Sequence, residues 1–208
     1  MQLSCYFSCR SSGARFSARR VFAFVLILFT VLPSELFAKR YLTVAEAQKT
    51  CFPKATRFEN KTIRFNSEQM SKIQKASSVK VKIPGMRYSL AWRDKEFIGA
   101  IAFDFVLGKA EVIDYCVAIT PENAVQQIEV MIYRESHGYE IRRPAWRKQF
   151  LQKTIQNKLR LNDDIANISG ATISCRNITN GVKRVLQTWR LEIRPSLVAA
   201  GNLPTHRK

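Results

Sequence analysis

The feature that most constrains this chain is a long amphipathic pattern near its C-terminal end. Apolar residues there recur at intervals of three and four, which places them on one stripe of a helix that faces a core. These residues are Ile178, Val182, Val185, Leu186, Trp189 and Ile193. The sequence therefore predicts a helix that begins near Thr172 and packs against the rest of a domain.

A short turn rich in hydroxyl groups runs directly into this helix. The first turn of a helix has unpaired backbone N–H groups and the positive end of the helix dipole, and both favour an anion. A glycine in the turn also lets the chain approach a ligand closely. The turn is a candidate phosphate site, although Ser or Thr before an apolar helix is also an ordinary helix cap. Its residues are Ser169, Gly170, Ala171, Thr172, Ile173 and Ser174.

Together with Asn180-Gly181-Val182 in the helix, the run SGATIS resembles a known family signature. It is similar to the FMN-binding domain found in sodium-translocating NADH:quinone reductases, in Rnf complexes and in periplasmic single-domain relatives. In that family the threonine matching Thr172 carries FMN through a phosphoester bond. The resemblance implies that the Ser169 hydroxyl and the N–H groups of Ile173 and Ser174 are donors to the FMN phosphate.

A second segment strengthens the resemblance, which extends over about residues 42–191 and is clearest from Glu111 onward. Residues 133–144, with the sequence YRESHGYEIRRP, are similar to the loop beside the flavin in that family. The resemblance implies that this loop closes a groove for the flavin ring and that Lys153 lends positive charge. Without it, a polar turn and a solvated helix end are the simpler interpretations. The implied loop residues are Glu135, Ser136, His137 and Gly138.

Two positions depart from the family pattern. The flavin transferases that install this FMN recognise an Asp three residues before the serine, and that position is Ala166 here. Gln152 stands where relatives often have glycine. Two alternatives to covalent FMN therefore stay open, namely FMN bound non-covalently and a flavin-free accessory or binding protein of the same fold.

The first 38 residues have the pattern of a secretory signal. Four arginines precede the apolar run Val21–Leu32, and Leu36-Phe37-Ala38 forms a cleavage end. The apolar run is shorter than the ~20 residues that span a membrane. We expect export to the periplasm or to the outer side of a membrane, with an uncleaved N-terminal anchor as the alternative. The arginines are Arg10, Arg15, Arg19 and Arg20.

The chain is strongly basic. Its net charge is +18, and removal of residues 1–38, which carry four arginines and one glutamate, leaves +15. Such a charge suits anionic lipid headgroups, an acidic redox partner or a phosphorylated cofactor. Membrane-surface association is therefore one expectation. Nucleic acid is not an expected partner, because the leader indicates export and the chain has no recognised nucleic-acid motif.

The sequence offers little support for other chemistry. Cys51, Cys116 and Cys175 show no metal-site or disulfide-framework spacing, and His137 and His206 are too few for a histidine-rich metal site. No nucleophile–base pair or paired acids stand out. We predict a redox carrier, or a component of an oxidoreductase system, with no catalytic residues of its own. The resemblance implies a flavin transferase using FAD and a membrane or periplasmic redox partner.

The remaining pattern predicts an α+β fold. With 208 residues and 46% hydrophobic content, the chain can bury one core. Consecutive strand patterns with short turns predict an antiparallel sheet of four to five strands, flanked by helices that include short ones opening at Thr43 and after Asn66. The organisation is a signal at 1–38, a single FMN-binding domain at 39–194 and a frayed basic tail at 195–208. The strand patterns are Val79–Ile83, Tyr88–Trp92, Phe97–Leu107, Glu111–Ile119 and Val125–Tyr133.

Overall fold

A single antiparallel sheet organises the chain. The computed structural model describes residues 38–201 and 203. The strands lie in the order β1-β6-β5-β4-β3-β2, and each neighbouring pair is antiparallel. The predicted α+β class is confirmed. The strands are β1 (Lys39–Arg40), β2 (Arg57–Arg64), β3 (Gly85–Arg93), β4 (Glu96–Leu107), β5 (Val112–Ile119) and β6 (Val125–Tyr133).

The strand count corrects the sequence prediction. Six strands form instead of four to five, and the predicted strand Val79–Ile83 is irregular. The missed strand β2 pairs with β3 over its whole length. Because β2 is an edge strand with only exposed and half-buried residues, its sequence lacks the apolar alternation that marks a strand.

Two short helices follow β1 and β2, and each begins with a capping box. In α1 (Val44–Cys51) the Thr43 hydroxyl accepts from the Glu46 N–H, and the Glu46 carboxylate accepts from the Thr43 N–H. In α2 (Ser67–Ser77) the Asn66 side chain accepts from the Gln69 N–H, and the Gln69 side chain accepts from the Asn66 N–H. The helix starts predicted at Thr43 and Asn66 are confirmed.

The regular elements described after β6 are helical. A 3-10 turn (Tyr139–Arg142), α3 (Pro144–Arg147) and a second 3-10 turn (Lys148–Phe150) follow β6. The long helix α4 (Thr172–Thr188) begins at the residue the sequence predicts, and a π-helical turn (Trp189–Ile193) extends it.

The last helix corrects a second prediction. α5 (Arg194–Ala199) occupies the start of the segment predicted as a frayed tail, and its Leu197 is buried. Pro195 suits the start of a tail, but proline is also favourable in the first turn of a helix. The predicted signal up to residue 37 and residues 204–208 of the tail lie outside the described residues.

The sheet has helices on both faces. α2 and α4 cover one face over a core that includes Ile73, Tyr115 and Val182, all with no exposed surface. α1 covers part of the other face, where Cys51 packs in one cluster with Cys116. Within the part of the chain that the structure describes, no helix combines the length and apolar character of a membrane span.

A close approach fixes α4 on the sheet. A Cβ atom at Gly181 would overlap the hydroxyl oxygen of Tyr115, so only glycine lets the helix lie this near to β5. The Tyr115 hydroxyl donates to Asp104 at 2.5 Å, and Arg184 Nη2 lies 2.6 Å from the same carboxylate oxygen. Burial alone would lower the pKa of Arg184, but the Asp104 carboxylate raises it overall. The guanidinium therefore stays charged, and its ion pair with Asp104 ties α4 to β4.

We predict that Gly181→Ala destabilises the protein. Alanine in a helix interior normally stabilises by about 1 kcal/mol relative to glycine. Here the added methyl group overlaps the tyrosine hydroxyl, and overpacking of this kind costs about 1–3 kcal/mol. Urea denaturation should give a net loss of up to about 2 kcal/mol, and the loss should shrink in a Tyr115→Phe background. An equal loss in both backgrounds would show that the contact is not responsible.

Candidate functional site

The N-terminal end of α4 is open to a ligand. Ala171 precedes the helix, and among the described residues no side chain caps it. The backbone bond that closes the first turn runs from the Cys175 N–H to the Ala171 carbonyl at 2.9 Å. The N–H groups of Thr172, Ile173 and Ser174 precede this bond, so they form the free donor end of the helix. This arrangement favours a phosphate.

The Thr172 hydroxyl lies at this helix end with a donor beside it. Asn167 Nδ2 donates to Thr172 Oγ1 at 2.9 Å. An amide donor orients the hydroxyl and stabilises negative charge on its oxygen, which suits an oxygen that forms a new ester bond. Asn167 was not among the predicted site residues. Its place five residues before Thr172, close to the same motif, is the only signal that the sequence offers for it.

Gly170 makes the turn before the helix and leaves space beside it. Its φ is +83°, in the left-handed region that favours glycine, and a Cβ there would meet no atom within 4 Å. The glycine is therefore required by the backbone angle and not by crowding. Ser169 beside it is exposed. The surroundings of the turn can receive a group as large as a phosphate ester.

The two motifs that carry the resemblance meet in space. Gly138 has a φ of +86°, and a Cβ there would lie 3.4 Å from the Ala171 side chain. It would also lie 2.8 Å from the hydroxyl oxygen of Tyr133. Glycine is thus needed at 138 for its backbone angle and for the close approach. The structure brings the end of the 135–138 loop against the turn that precedes Thr172.

Tyr133 links these two segments, and the sequence prediction missed this role. Its hydroxyl donates to the carbonyl of His137. Burial raises the pKa of Tyr133, and a hydrogen bond from Ser174 opposes that rise. The phenol therefore remains protonated at neutral pH and holds the loop beside the first turn of α4. The loop motif includes this aromatic position, but nothing in the sequence signals that its hydroxyl forms a bridge.

Glu135 has a structural task at the edge of the site. Its carboxylate accepts from the backbone N–H groups of Ala110, at 2.7 Å, and Glu111, at 2.9 Å. A Cβ at Gly108 would overlap this carboxylate. Glu135 therefore holds the turn between β4 and β5. Asn177 joins the same turn to α4, because its Nδ2 donates to the Leu107 carbonyl at 2.6 Å.

Ser136 and His137 lie on the surface of the loop. Both are exposed, and Ser136 Oγ is 2.8 Å from His137 Nδ1. They contact each other and leave their outer surfaces free for a ligand that lies over the loop.

Lys153 is not brought to the other predicted residues. Its carbonyl accepts from the N–H of Val125, which is the first residue of β6. The 135–138 loop instead follows Tyr133, which is the last residue of that strand. Nine residues of strand span about 26 Å. Lys153 Nζ instead pairs with Asp164 at 3.4 Å. A positive charge for the phosphate must therefore come from elsewhere, and the helix end supplies it.

The two departures from the family pattern have clear structural settings. Ala166 is exposed; its N–H donates to Gln149 Oε1 at 2.7 Å and its carbonyl accepts from Trp146 Nε1 at 2.8 Å. An acidic side chain would fit at 166 without disturbing these backbone bonds. Gln152 has a φ of +61°, an angle at which glycine would be unstrained.

Part of the chain matches the model of a known protein family. Residues 108–187 match the FMN-binding domain family. The matched segment holds the β4–β5 turn, the 135–138 loop and nearly all of α4. The resemblance predicted from the sequence is confirmed over this part of the chain.

Among solved structures, the chain is similar to the crystal structure of Shewanella oneidensis NqrC. The two are 18% identical, and the match covers 68% of this chain and 81% of that one with a TM-score of 0.43. A search of curated proteins gave no match.

We predict that Asp164 stabilises the segment between Lys153 and the site in a pH-dependent way. Burial raises its pKa, but N–H donors from Arg160 and Leu159 and the charge of Lys153 lower it overall. The stabilisation is therefore present above the unfolded pKa of about 3.9 and is lost as pH falls through the lower folded value. Asp164→Asn should lower the free energy of unfolding at pH 7 by about 2 kcal/mol.

Denaturation measured between pH 7 and pH 2 checks this prediction. The difference between wild type and Asp164→Asn should shrink as the pH falls below about 4. Asp163→Asn is the matched control, because Asp163 pairs with the exposed Lys158 and should contribute less than about 1 kcal/mol. A pH-independent difference for Asp164→Asn would contradict the assignment.

Proposed function

We propose that the chain is an exported electron-transfer protein that holds FMN at the N-terminal end of α4, linked by a phosphoester to Thr172. The observation that carries this proposal is the uncapped helix end with Thr172 as its first residue. The open space beside Gly170 and the loop held against Ala171 by Tyr133 complete a cradle for a phosphate ester. The family match over residues 108–187 supports FMN as the ligand.

Attachment would use the Thr172 hydroxyl as the nucleophile. A flavin transferase using FAD joins Oγ1 to the phosphorus of the FMN half, while the bond to AMP breaks and the hydroxyl proton leaves. Asn167 Nδ2 stabilises the developing charge on Oγ1. The N–H groups of Ile173 and Ser174, with the Ser169 hydroxyl, would then bind the phosphate oxygens.

Two large exposed side chains flank the cradle and suit a flavin ring. Tyr139, next to Gly138, is 55% exposed, and Ile173, next to Thr172, is 43% exposed. Burial of such surface against a flat aromatic ring is favourable. Bound FMN supplies one- or two-electron redox chemistry, while the protein supplies binding, orientation and electrostatics. In our proposal these side chains orient the ring and exclude water from one face.

The partners follow from the same proposal. The flavin transferase installs FMN, and a membrane or periplasmic redox protein exchanges electrons with it. The charge of +15 outside the predicted signal favours an acidic partner and speeds its association at low ionic strength.

Ala166 favours a second candidate function. The carboxylate that a flavin transferase recognises is absent at this position, and the alanine side chain is exposed. The chain would then bind FMN reversibly, or act as a flavin-free accessory protein of the same fold. The alternatives differ in what stays on the protein after denaturation, so one measurement separates them.

We expect covalent FMN on the exported protein made with its flavin transferase. Intact-mass spectrometry should show a gain of one FMN less one water, and Thr172→Ala should abolish it. Thr172→Ser keeps the hydroxyl and is the matched control for the altered helix start. Flavin that is released on acid denaturation, with no mass gain, would instead show reversible binding. Colourless protein without either would leave the accessory function.

Ala166→Asp tests whether the missing carboxylate limits attachment. The side chain is exposed and the backbone bonds at 166 do not involve it, so the variant should fold like the wild type. We predict that the fraction of flavinylated protein rises in the variant when the transferase is limiting. Asn167→Ala should lower that fraction, because Oγ1 loses its donor. An unchanged fraction in Ala166→Asp would show that recognition does not depend on this position.

A further inference from the structure

Helix α1 covers only part of its face of the sheet. Its residues Ala47 and Cys51, with Phe52 just after them, pack toward the ends of β4 and β5 that lie away from the FMN cradle. Among the described residues, no helix or strand covers the other half of this face, and a cavity of about 560 Å³ lies over it. We call this surface the basic sheet face and define it by Arg40, Arg64, Arg87, Phe103, Phe105 and Ile132.

The centre of the basic sheet face is apolar. Phe103 and Phe105 are two residues apart on β4, so both lie on this face. Across the sheet, Asp114 on β5 lies between Phe105 on β4 and Ile132 on β6. Phe105 is 43% exposed, and Ile83, on the irregular segment beside it, is 39% exposed. Large apolar side chains grouped in a surface depression mark an interaction site more often than isolated ones do.

Cations surround this apolar centre. In the register of the sheet, Arg40 lies opposite Ile132 and Arg87 lies opposite Phe103. Arg64 is two residues beyond Thr62, which lies opposite Arg87. All three arginines are exposed, and no ion pair found among residues 38–201 includes any of them. Arg40 and Arg87 are four strands apart, which is about 19 Å.

The two acidic residues that line the cavity, Asp104 and Asp114, are already paired. Asp114 pairs with Arg134 at 2.8 Å, and the Asp104 carboxylate turns to Arg184 on the opposite face. The free charge of the basic sheet face is therefore positive. An isolated phosphate would gain nothing from the apolar centre, whereas a lipid surface offers both anionic headgroups and hydrocarbon.

We propose that the basic sheet face docks the protein on a bilayer that contains anionic phospholipid. Each arginine near such a surface contributes about 1 kcal/mol, and its alkyl stem can lie along the apolar centre while the guanidinium reaches a headgroup. In this proposal Phe105 enters the boundary between headgroups and acyl chains, as the apolar face of an amphipathic helix does. This inference does not depend on bound FMN.

Docking would leave the FMN cradle accessible. Phe105 lies two residues before Leu107, whose carbonyl binds α4, so the basic sheet face and the cradle share one end of the sheet. They lie on opposite faces of that sheet, because α4 covers one and the basic sheet face is on the other. A ligand at Thr172 would sit on the side of the sheet away from the bilayer, where the membrane does not block it.

The test is binding of the full chain, made in an exporting host, to vesicles. Phosphatidylcholine vesicles with phosphatidylglycerol are compared with pure phosphatidylcholine vesicles. The double variant Arg64→Gln/Arg87→Gln should weaken binding to the anionic vesicles about 30-fold. Lys95→Gln/Arg160→Gln removes the same charge from exposed positions elsewhere and should have a much smaller effect.

The apolar centre is tested separately. Phe105→Gln should weaken binding at high salt as well as at low salt, and Thr172→Ala should bind like the wild type. An equal loss in the two double variants would overturn the proposal. So would an unaffected Phe105→Gln variant, because binding by charge alone would show that the apolar centre does not enter the bilayer.

A second measurement covers the case in which residues 1–38 remain and hold every variant on vesicles. Hydrogen exchange of the irregular segment 79–84, which includes Ile83, should slow on anionic vesicles in the wild type and not in the Arg64→Gln/Arg87→Gln variant. Unchanged exchange in the wild type would overturn the proposal.

Discussion

The close contact between Gly181 and Tyr115 sets the position of α4, and the rest of the cradle depends on it. Thr172 lies nine residues before Gly181, which is about 13 Å along the helix axis. A slip of one turn would move Thr172 by about 5.4 Å and take Ala171 away from Gly138. The chain of hydrogen bonds through Tyr115, Asp104 and Arg184 makes such a slip costly, because it would separate a half-buried charged pair.

Around this fixed helix, the cradle is assembled by polar contacts between loops. Glu135 holds the β4–β5 turn, Asn177 fastens that turn to α4, and Tyr133 ties the 135–138 loop to the first turn of the helix. The surfaces left to a ligand are therefore mostly backbone N–H groups and small side chains. Such a cradle suits a ligand that places a phosphate at the helix end and carries a ring. The ring is contacted mainly through shape and apolar surface.

Sequence patterns predicted the parts of the fold that local rules determine. The start of α4, the starts of the two short helices and the central strands follow from periodicity and from residue types at helix ends. β2 could not be predicted, because an exposed edge strand needs no apolar alternation, and α5 was hidden by a proline that suits both a helix start and a tail. The same limit applies to the site. Family resemblance assigned Gly138 and Ala171 to one site. The structural task of Glu135 and the separation of Lys153 from the helix end depend instead on which backbone groups lie nearby in three dimensions. No spacing in the chain encodes those distances.

The two edge strands of the sheet carry features that limit pairing with other molecules. An unpaired strand edge can template pairing with other molecules. On β2 the charged side chains of Arg57, Lys61 and Arg64 stand along one edge. At the other edge, β1 pairs with the end of β6, while residues 152 and 153 bind backbone groups of Val125 at its start. Both edges therefore carry features that disfavour the addition of a strand from a neighbouring molecule.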